Sequence, residues 1–199
     1  MNLHFRLHCL ERELTNVSIL KYRDFQGYVV TGQHSGTHWL KYLMSCALAH
    51  KYNLPIPQYT SNDKSNDFIG HPKHKRIYPQ CPRIASTHQI PHAFYDSRIL
   101  RKLIYIPPTV LMVRDIRPAL VSNFEKWTKK YKVSFSTYLR GDISEKKFIA
   151  DIWWFIRFFN RWGRIQKRFP EDTLVIHYED LLTDTQSLLE RIFNHINID

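Results

Sequence analysis

The sequence predicts an α/β domain of three layers, a parallel sheet flanked by helices. Three observations carry this. Short apolar runs alternate with stretches of helical spacing along the whole chain. The runs are bounded by Gly, Pro and polar turn residues. The 199 residues, 43% of them apolar, suffice for one buried core, so residues 1–199 read as a single domain. With 6 glycines and 10 prolines, disordered, collagen-like and disulfide-stapled chains are excluded, and the chain has no internal repeat.

The elements follow in order. The opening MNLHFRLHCLERELTNV carries a charge every few residues and lacks an apolar stretch of signal-peptide length. Residues 27–31 (GYVVT) read as a short buried strand. From Gly36 to about Tyr52, the apolar side chains Trp39, Leu40, Leu43, Met44, Ala47 and Leu48 fall at helical spacing. Residues 53–80 are polar and rich in Pro, Asn and Lys; a stretch that long without periodicity reads as a functional loop or lid.

Residues 83–87 (RIAST) and 109–113 (TVLMV) are two further strands, the second announced by Pro107-Pro108. After Arg117-Pro118 a helix runs to about Tyr131, with Pro118 in its first turn. Residues 145–169 are expected to form a long helix, apolar on most faces and largely buried. Its aromatic stripe, from Trp153 to Trp162, reads as core rather than as a base-stacking platform. Residues 173–177 (TLVIH) are the last strand and 184–196 the last helix.

Lys and Arg outnumber Asp and Glu by 29 to 18, a net charge of +11. That surplus suits an anionic partner: nucleotide, nucleic acid, acidic glycan or membrane surface. The three cysteines are far apart with no C-x-x-C pair, which excludes a disulfide framework and a cysteine-based zinc site. No segment reaches the ~18 uninterrupted apolar residues of a membrane span. The nearest, FIADIWWFIRFF, is broken by Asp151 and Arg157. A cytoplasmic protein without a transmembrane segment is expected. Asn16-Val17-Ser18 matches the glycosylation triplet but has no meaning without secretion.

Four segments carry chemistry. The first, Thr31-Gly32-Gln33-His34-Ser35-Gly36-Thr37-His38-Trp39, runs from a strand through a tight turn into a helix. Backbone N–H groups there, with the positive end of the helix dipole, form an anion cradle. It is no Walker A motif, because three residues rather than four separate the glycines and Thr37 stands where the Lys belongs. An ordinary βα turn is the alternative. The second is Val113-Arg114-Asp115 with Ser122 eight residues after Arg114; Arg114 at a strand end can bind phosphate bidentately, or form a surface pair with Asp115. The third, Ser86-Thr87-His88 with Pro91, puts His88 just past a strand, where a general base or a structural His would sit. The fourth is Tyr178-Glu179-Asp180-Leu181, after the last strand. His71-Pro72-Lys73-His74 offers two metal ligands, but Lys73 and Lys75 would repel a cation, so it reads as loop and no metal is expected.

In this order and spacing the four segments resemble the sulfotransferases that use 3′-phosphoadenosine 5′-phosphosulfate (PAPS), over roughly residues 27–198. The family's phosphosulfate loop, Thr-Tyr-Pro-Lys-Ser-Gly-Thr-Thr-Trp, is similar to Thr31–Trp39. Its Lys-Thr-His-x-Pro segment is similar to Ser86-Thr87-His88 with Pro91, its Val-Arg-Asn-Pro start to Val113-Arg114-Asp115 with Val121-Ser122, and its Tyr-Glu-Asp-Leu to Tyr178–Leu181. The resemblance implies a P-loop NTPase-like fold and sulfuryl transfer from PAPS to a hydroxyl or amine of a small-molecule or glycan acceptor. It implies that His34, Ser35, Gly36, Thr37 and His38 hold the phosphosulfate. Trp39 would stack on adenine with Tyr178 nearby, Arg114 and Ser122 would bind the 3′-phosphate, and His88 would be the general base.

His34 stands where the family carries a Lys, the cation on the bridging oxygen, and Ser86 stands for a second Lys. As a stand-in for that cation, His34 is expected to be protonated in action. The chain stops at Asp199, ahead of the family's Arg-Lys-Gly region, so the C-terminal part of the usual domain is expected to be missing. A non-catalytic PAPS-binding relative or a fragment is therefore the alternative. A metal-dependent kinase is disfavoured by the absent Walker Lys, and a nucleic-acid module by the lack of any such motif. The acceptor would be set by residues 53–80 and 132–147, whose basic and polar composition favours an acidic or glycan-like molecule.

Overall fold

The computed structural model describes residues 3–15, 24–59, 64–71 and 74–198. The triplet at Asn16 lies outside these residues. Five strands, β1 (Gly27–Thr31), β2 (Ile69–Gly70), β3 (Ile84–Thr87), β4 (Thr109–Val113) and β5 (Thr173–His177), form one parallel sheet in the order β2-β3-β1-β4-β5. The helices are α1 (Leu3–Thr15), α2 (Thr37–Lys51), α3 (Arg98–Leu103), α4 (Ile116–Tyr131), α5 (Phe135–Arg140), α6 (Ile152–Arg168), α7 (Asp180–Thr183) and α8 (Thr185–His195).

The alternation of side chains along the strands builds two cores. Tyr28 and Val30 of β1 join Ala85 and Leu111 under the aromatic face of α6, with Trp154, Phe155, Phe158 and Trp162. Val29, on the other face of β1, joins Val110 and Met112 against Leu40, Met44 and Leu48 of α2 and Leu188 and Ile192 of α8. Burying both faces explains why the strands read as continuous apolar runs. The chain leaves β1 towards β3 on one side and returns to β4 on the other. In such a sheet the crevice for a ligand opens at the strands' carboxyl ends, where the order diverges. Val30 pairs with both Thr87 and Leu111, so the ends of β1, β3 and β4 lie level there.

Helix α6 departs from the sequence expectation in two ways. It begins at Ile152 rather than at 145, because the buried Asp151 carboxylate accepts the N–H groups of Trp153 (3.0 Å) and Trp154 (3.2 Å) and so caps the first turn. Before it, residues 142–147 curl around the Asp142 carboxylate, which accepts N–H groups of Ser144, Lys146 and Lys147. The helix is also amphipathic rather than apolar on most faces: Asn160, Gly163, Arg164 and Lys167 are exposed. Of the aromatic stripe, Trp154, Phe155, Phe158 and Trp162 are core, as the spacing predicts, while Trp153 and Phe159 are partly buried. Helix α4 starts two residues earlier than Pro118 suggested, since Asp115 caps it through the Arg117 N–H. The polar stretch 53–80 holds a 3-10 turn at Lys64–Asp67 and the two-residue β2.

The buried face of α6 carries two arginines, each satisfied. Arg157 forms a bidentate pair with Glu145, and Arg161 binds Asp96 and the carbonyls of Pro91 and His92. The Trp162 indole donates to the Gln89 carbonyl at 3.0 Å. Helix α6 thereby pins the segment that follows β3. No helix among the described residues is long and apolar enough to cross a membrane.

Asp151→Ala is expected to lower stability by ~2 kcal/mol, from the lost cap plus the buried N–H groups left without an acceptor. Urea unfolding checks this, and a change below ~0.5 kcal/mol would contradict the cap's role.

Candidate functional site

The turn from β1 into α2 is built by two residues in the left-handed region, His34 (φ 56°) and Gly36 (φ 90°). Gly36 is required twice over. Any side chain would be strained at that φ, and a Cβ there would lie 2.4 Å from the Tyr178 ring. His34 adopts the same region at a cost of about 1 kcal/mol, so something must hold it. The Ser35 side chain is fully buried beneath the turn. The first N–H groups of α2 and its dipole then face the crevice, a ready anion site.

What holds His34 comes from β4 and α4. The Arg114 guanidinium donates to the His34 carbonyl at 3.0 Å, and the Ser122 hydroxyl lies 3.2 Å from His34 Nδ1. Asp115 pairs with Arg117 instead, so the surface Arg114–Asp115 pair does not form. The Arg114 guanidinium packs 4.2 Å from the centre of the Tyr178 ring, and its Nε is buried without a hydrogen-bond partner. A buried guanidinium N–H lacking an acceptor fits an anionic ligand.

Burial, reinforced by the positive charge of Lys126 and Arg114 and by the nearby His88 and His38, pushes the His34 pKa down to about 4. In the free protein this favours the neutral imidazole at pH 7; the protonated form expected in action concerns the nucleotide-bound site. Burial is the main reason, and the neighbouring cationic groups add to it.

His88 lies half-buried just past β3. Its Nδ1 is 2.9 Å from the Thr31 carbonyl and 3.1 Å from Thr31 Oγ1, which in turn contacts Thr37 Oγ1 at 2.6 Å. A carbonyl can only accept, so Nδ1 carries the proton and Nε2 is the basic nitrogen. Burial also lowers the His88 pKa, partly opposed by the Thr31 hydrogen bond and aided by His38, Lys41 and Lys126. His88 borders a cavity of about 390 Å³ together with His38, Lys41, Asn66, His71 and His74. Pro72 and Lys73 of the two-histidine segment lie outside the described residues. Among those described, no three His, Cys, Asp or Glu side chains are grouped to hold a metal.

The fold thus brings His34, Gly36, Arg114, Ser122 and Tyr178 into one contact network, with Thr37, His38 and His88 beside it. The Trp39 ring contacts Tyr42 and Tyr59, both at 5.7 Å between centres. Its indole N–H is buried without a partner. Sequence reasoning missed Lys41 and Asn66. Lys41 follows Thr37 by four residues and His38 by three, so helical spacing alone puts all three on one face.

Comparison with known proteins bears on this arrangement. A family model for the sulfotransferase domain matches residues 26–199. Two guinea pig (Cavia porcellus) proteins, a 3-alpha- and a 3-beta-hydroxysteroid sulfotransferase, are each 26% identical to the chain over 200 residues. The matches cover 91% and 92% of this chain but 61% and 62% of the relatives, so the chain spans about three fifths of their length. Mouse sulfotransferase SULT7A1 complexed with PAP superposes with a TM-score of 0.52 at 17% identity, covering 94% of this chain and 66% of that one. A retinol dehydratase in complex with retinol and PAP gives 0.52 at 17%, covering 92% and 63%. A sulfotransferase from Alicyclobacillus acidocaldarius gives 0.52 at 12%, covering 88% and 81%. These structures share the fold, a P-loop NTPase-like α/β sheet.

The depressed His34 pKa sets an acid sensitivity. The unfolded chain takes up a proton at His34 below pH ~6.5, the folded chain only below about 4. The stability tied to this residue is therefore present in full above pH ~6.5 and is lost as pH falls towards 4. His34 is only partly buried, so solvent screening reduces the effect and we expect ~1–2 kcal/mol. His34→Asn should flatten the fall in melting temperature between pH 6.5 and 4; an identical slope would contradict the assignment.

Proposed function

From the premise that the chain belongs to the sulfotransferase domain family, we propose that it transfers a sulfuryl group from PAPS to a hydroxyl or amine acceptor. The observation that carries this is the convergence of His34, Arg114 and Ser122 on the β1–α2 turn, with His88 level beside it. PAP, held by two of the solved relatives, is the form of the donor that has lost its sulfuryl group. The partnerless Nε of Arg114 and the Gly36 backbone under Tyr178 suit that nucleotide.

In this reading the turn from His34 to His38 holds the 5′-phosphosulfate on its N–H groups and hydroxyls. Arg114 and Ser122 hold the 3′-phosphate. Trp39 offers an indole face to the adenine; its aromatic company is Tyr42 and Tyr59, while Tyr178 packs on Arg114. When bound, PAPS supplies a sulfuryl group whose bond to the bridging oxygen breaks as the bond to the acceptor forms.

The side chains then divide the work. His88 Nε2 receives the acceptor's proton, and the Thr31 carbonyl on Nδ1–H keeps the ring aligned and steadies the imidazolium. The lowered pKa of His88 keeps it neutral, and so able to accept, at pH 7. His34 is neutral until an anion arrives; phosphosulfate charge beside it favours its protonated form. It then faces the bridging oxygen as a cation, alongside the α2 N-terminus. Positioning and charge stabilisation supply the rate, as in phosphoryl transfer.

His88→Ala is expected to cut transfer by ~10²–10⁴-fold, assayed with whichever of a panel of phenol, sterol and saccharide acceptors the wild type sulfates. PAP affinity should stay within about twofold, since the base acts on the acceptor. Retention of more than about a tenth of the rate would remove His88 from the mechanism, and an unchanged melting curve would exclude a folding defect as the cause of any loss. PAP binding without turnover in every variant, wild type included, would identify a non-catalytic relative.

A further inference from the structure

We propose that the basic surface running along α4 away from Ser122 is the docking surface for an anionic polysaccharide, a hydroxyl-rich chain bearing carboxylates. The inference rests on the sulfuryl-transfer reading and names the substrate class of that same site.

Helix α4 brings a row of cations up to the site. Ser122, Lys126 and Lys129 recur at i, i+4 and i+7 and so share one face of the helix, with Lys130 one turn after Lys126. Ser122 is the end of the row that meets His34, at 3.2 Å from Nδ1. From Ser122 to Lys130 the helix rises about 12 Å, further than one sugar ring extends. A helical side chain leans towards the N-terminus of its helix, which carries Lys126 back towards Ser122 and the site. Its charge is felt at both His34 and His88, where it is one of the influences that disfavour protonation.

The surface widens beyond the end of α4. Lys132 follows its last residue, and Lys146 and Lys147 lie at the same end. There Phe148 packs on the Tyr131 ring, 5.0 Å between centres, and the Ile149 N–H donates to the Tyr131 hydroxyl at 3.1 Å. All six lysines are exposed. Among the described residues none of them forms an ion pair with a carboxylate. The acids nearby are engaged inward: Asp142 accepts N–H groups of its own loop, and Glu145 pairs with the buried Arg157. Glu125 is the one carboxylate on α4. Six exposed ammonium groups against one exposed carboxylate draw a polyanion, and the chain's net charge of +11 acts in the same direction from a distance.

The reaction decides which polyanion. Sulfuryl transfer needs a hydroxyl or amine, which every sugar of a polysaccharide offers and a phosphodiester chain offers sparsely. The Lys126 and Lys130 ammonium groups lie 5.5 and 5.4 Å from the centre of the Trp127 ring, which is only partly buried. An indole among cations suits a chain whose rings have apolar C–H faces and whose acids carry charge. With the chain held along α4, one of its hydroxyls reaches His88. The bond from sulfur to that oxygen forms as the bond to the bridging oxygen breaks, the proton passes to His88 Nε2, and PAP is left.

The test is calorimetry on the full chain saturated with PAP. The probes are an unsulfated chondroitin decasaccharide, which carries a carboxylate on every second sugar, a dextran of the same length, and a single-stranded RNA of the same charge. Chondroitin is expected to bind at least tenfold more tightly than dextran and more tightly than the RNA. The double variant Lys129→Gln, Lys130→Gln should lose at least tenfold in chondroitin affinity while PAP affinity stays within about twofold. Removing the same charge from other faces, by Lys51→Gln with Lys167→Gln, should cost less than about twofold. Equal losses in the two double variants, equal binding of chondroitin and dextran, or tighter binding of the RNA overturns the inference. The comparison among probes is made within the wild type, so it decides even if a variant fails to fold. PAP binding without a preference for chondroitin refutes the docking surface alone, whereas absence of PAP binding refutes the sulfuryl-transfer reading and the inference with it.

Discussion

The site depends on one long-range hydrogen bond, from the Arg114 guanidinium to the His34 carbonyl. It joins the end of β4 to the turn after β1 across 80 residues of sequence. The turn needs that tie because His34 sits in the left-handed region, where a residue with a Cβ gains nothing locally. Ser122 adds a second tie from α4 through Nδ1, and Tyr178 seals the opposite side by packing on both Arg114 and Gly36. Two strand ends, those of β4 and β5, and helix α4 thus close on one loop. The parallel sheet makes this possible, since the register of β1 with β3 and β4 sets their carboxyl ends level.

His88 is placed by a second set of contacts. Helix α6 grips the segment just after it, through Trp162 on the Gln89 carbonyl and Arg161 on the carbonyls of Pro91 and His92. The same aromatic face that fills the core above β1 therefore fixes the position of the proposed base. Core packing and site geometry are coupled here: a side chain lost from α6 would loosen both. The Thr31 carbonyl completes the arrangement by selecting the tautomer.

Much of this was legible in the sequence, for physical reasons. Strands buried on both faces are unbroken apolar runs, so β1, β3, β4 and β5 stand out; β2, of two residues, gives no pattern to read. Helices α3, α5 and α7 are too short for a periodicity to emerge, and α1 hides its buried Phe5 among charged neighbours. The motif residues His34, Arg114, Ser122 and His88 were found because strand ends and a Gly-rich turn mark where chemistry can sit. Strand order was not found, because it is settled by tertiary packing. Lys41 was not found because a lysine on a helix ordinarily faces water. The direction of Trp39 also depends on its neighbours: Tyr42 one turn along α2, and Tyr59 in the following loop, give its ring aromatic company.

The central claim is that Arg114, Ser122 and the β1–α2 turn form one site for a nucleotide phosphorylated at both the 3′ and 5′ positions. Calorimetric titration of the wild-type chain with adenosine 3′,5′-bisphosphate and with adenosine 5′-phosphate tests it most directly. The account predicts that the bisphosphate binds at least tenfold more tightly, a difference of ~1.4 kcal/mol or more, and that Arg114→Ala abolishes most of that difference. Equal affinity for the two nucleotides in the wild type would contradict it.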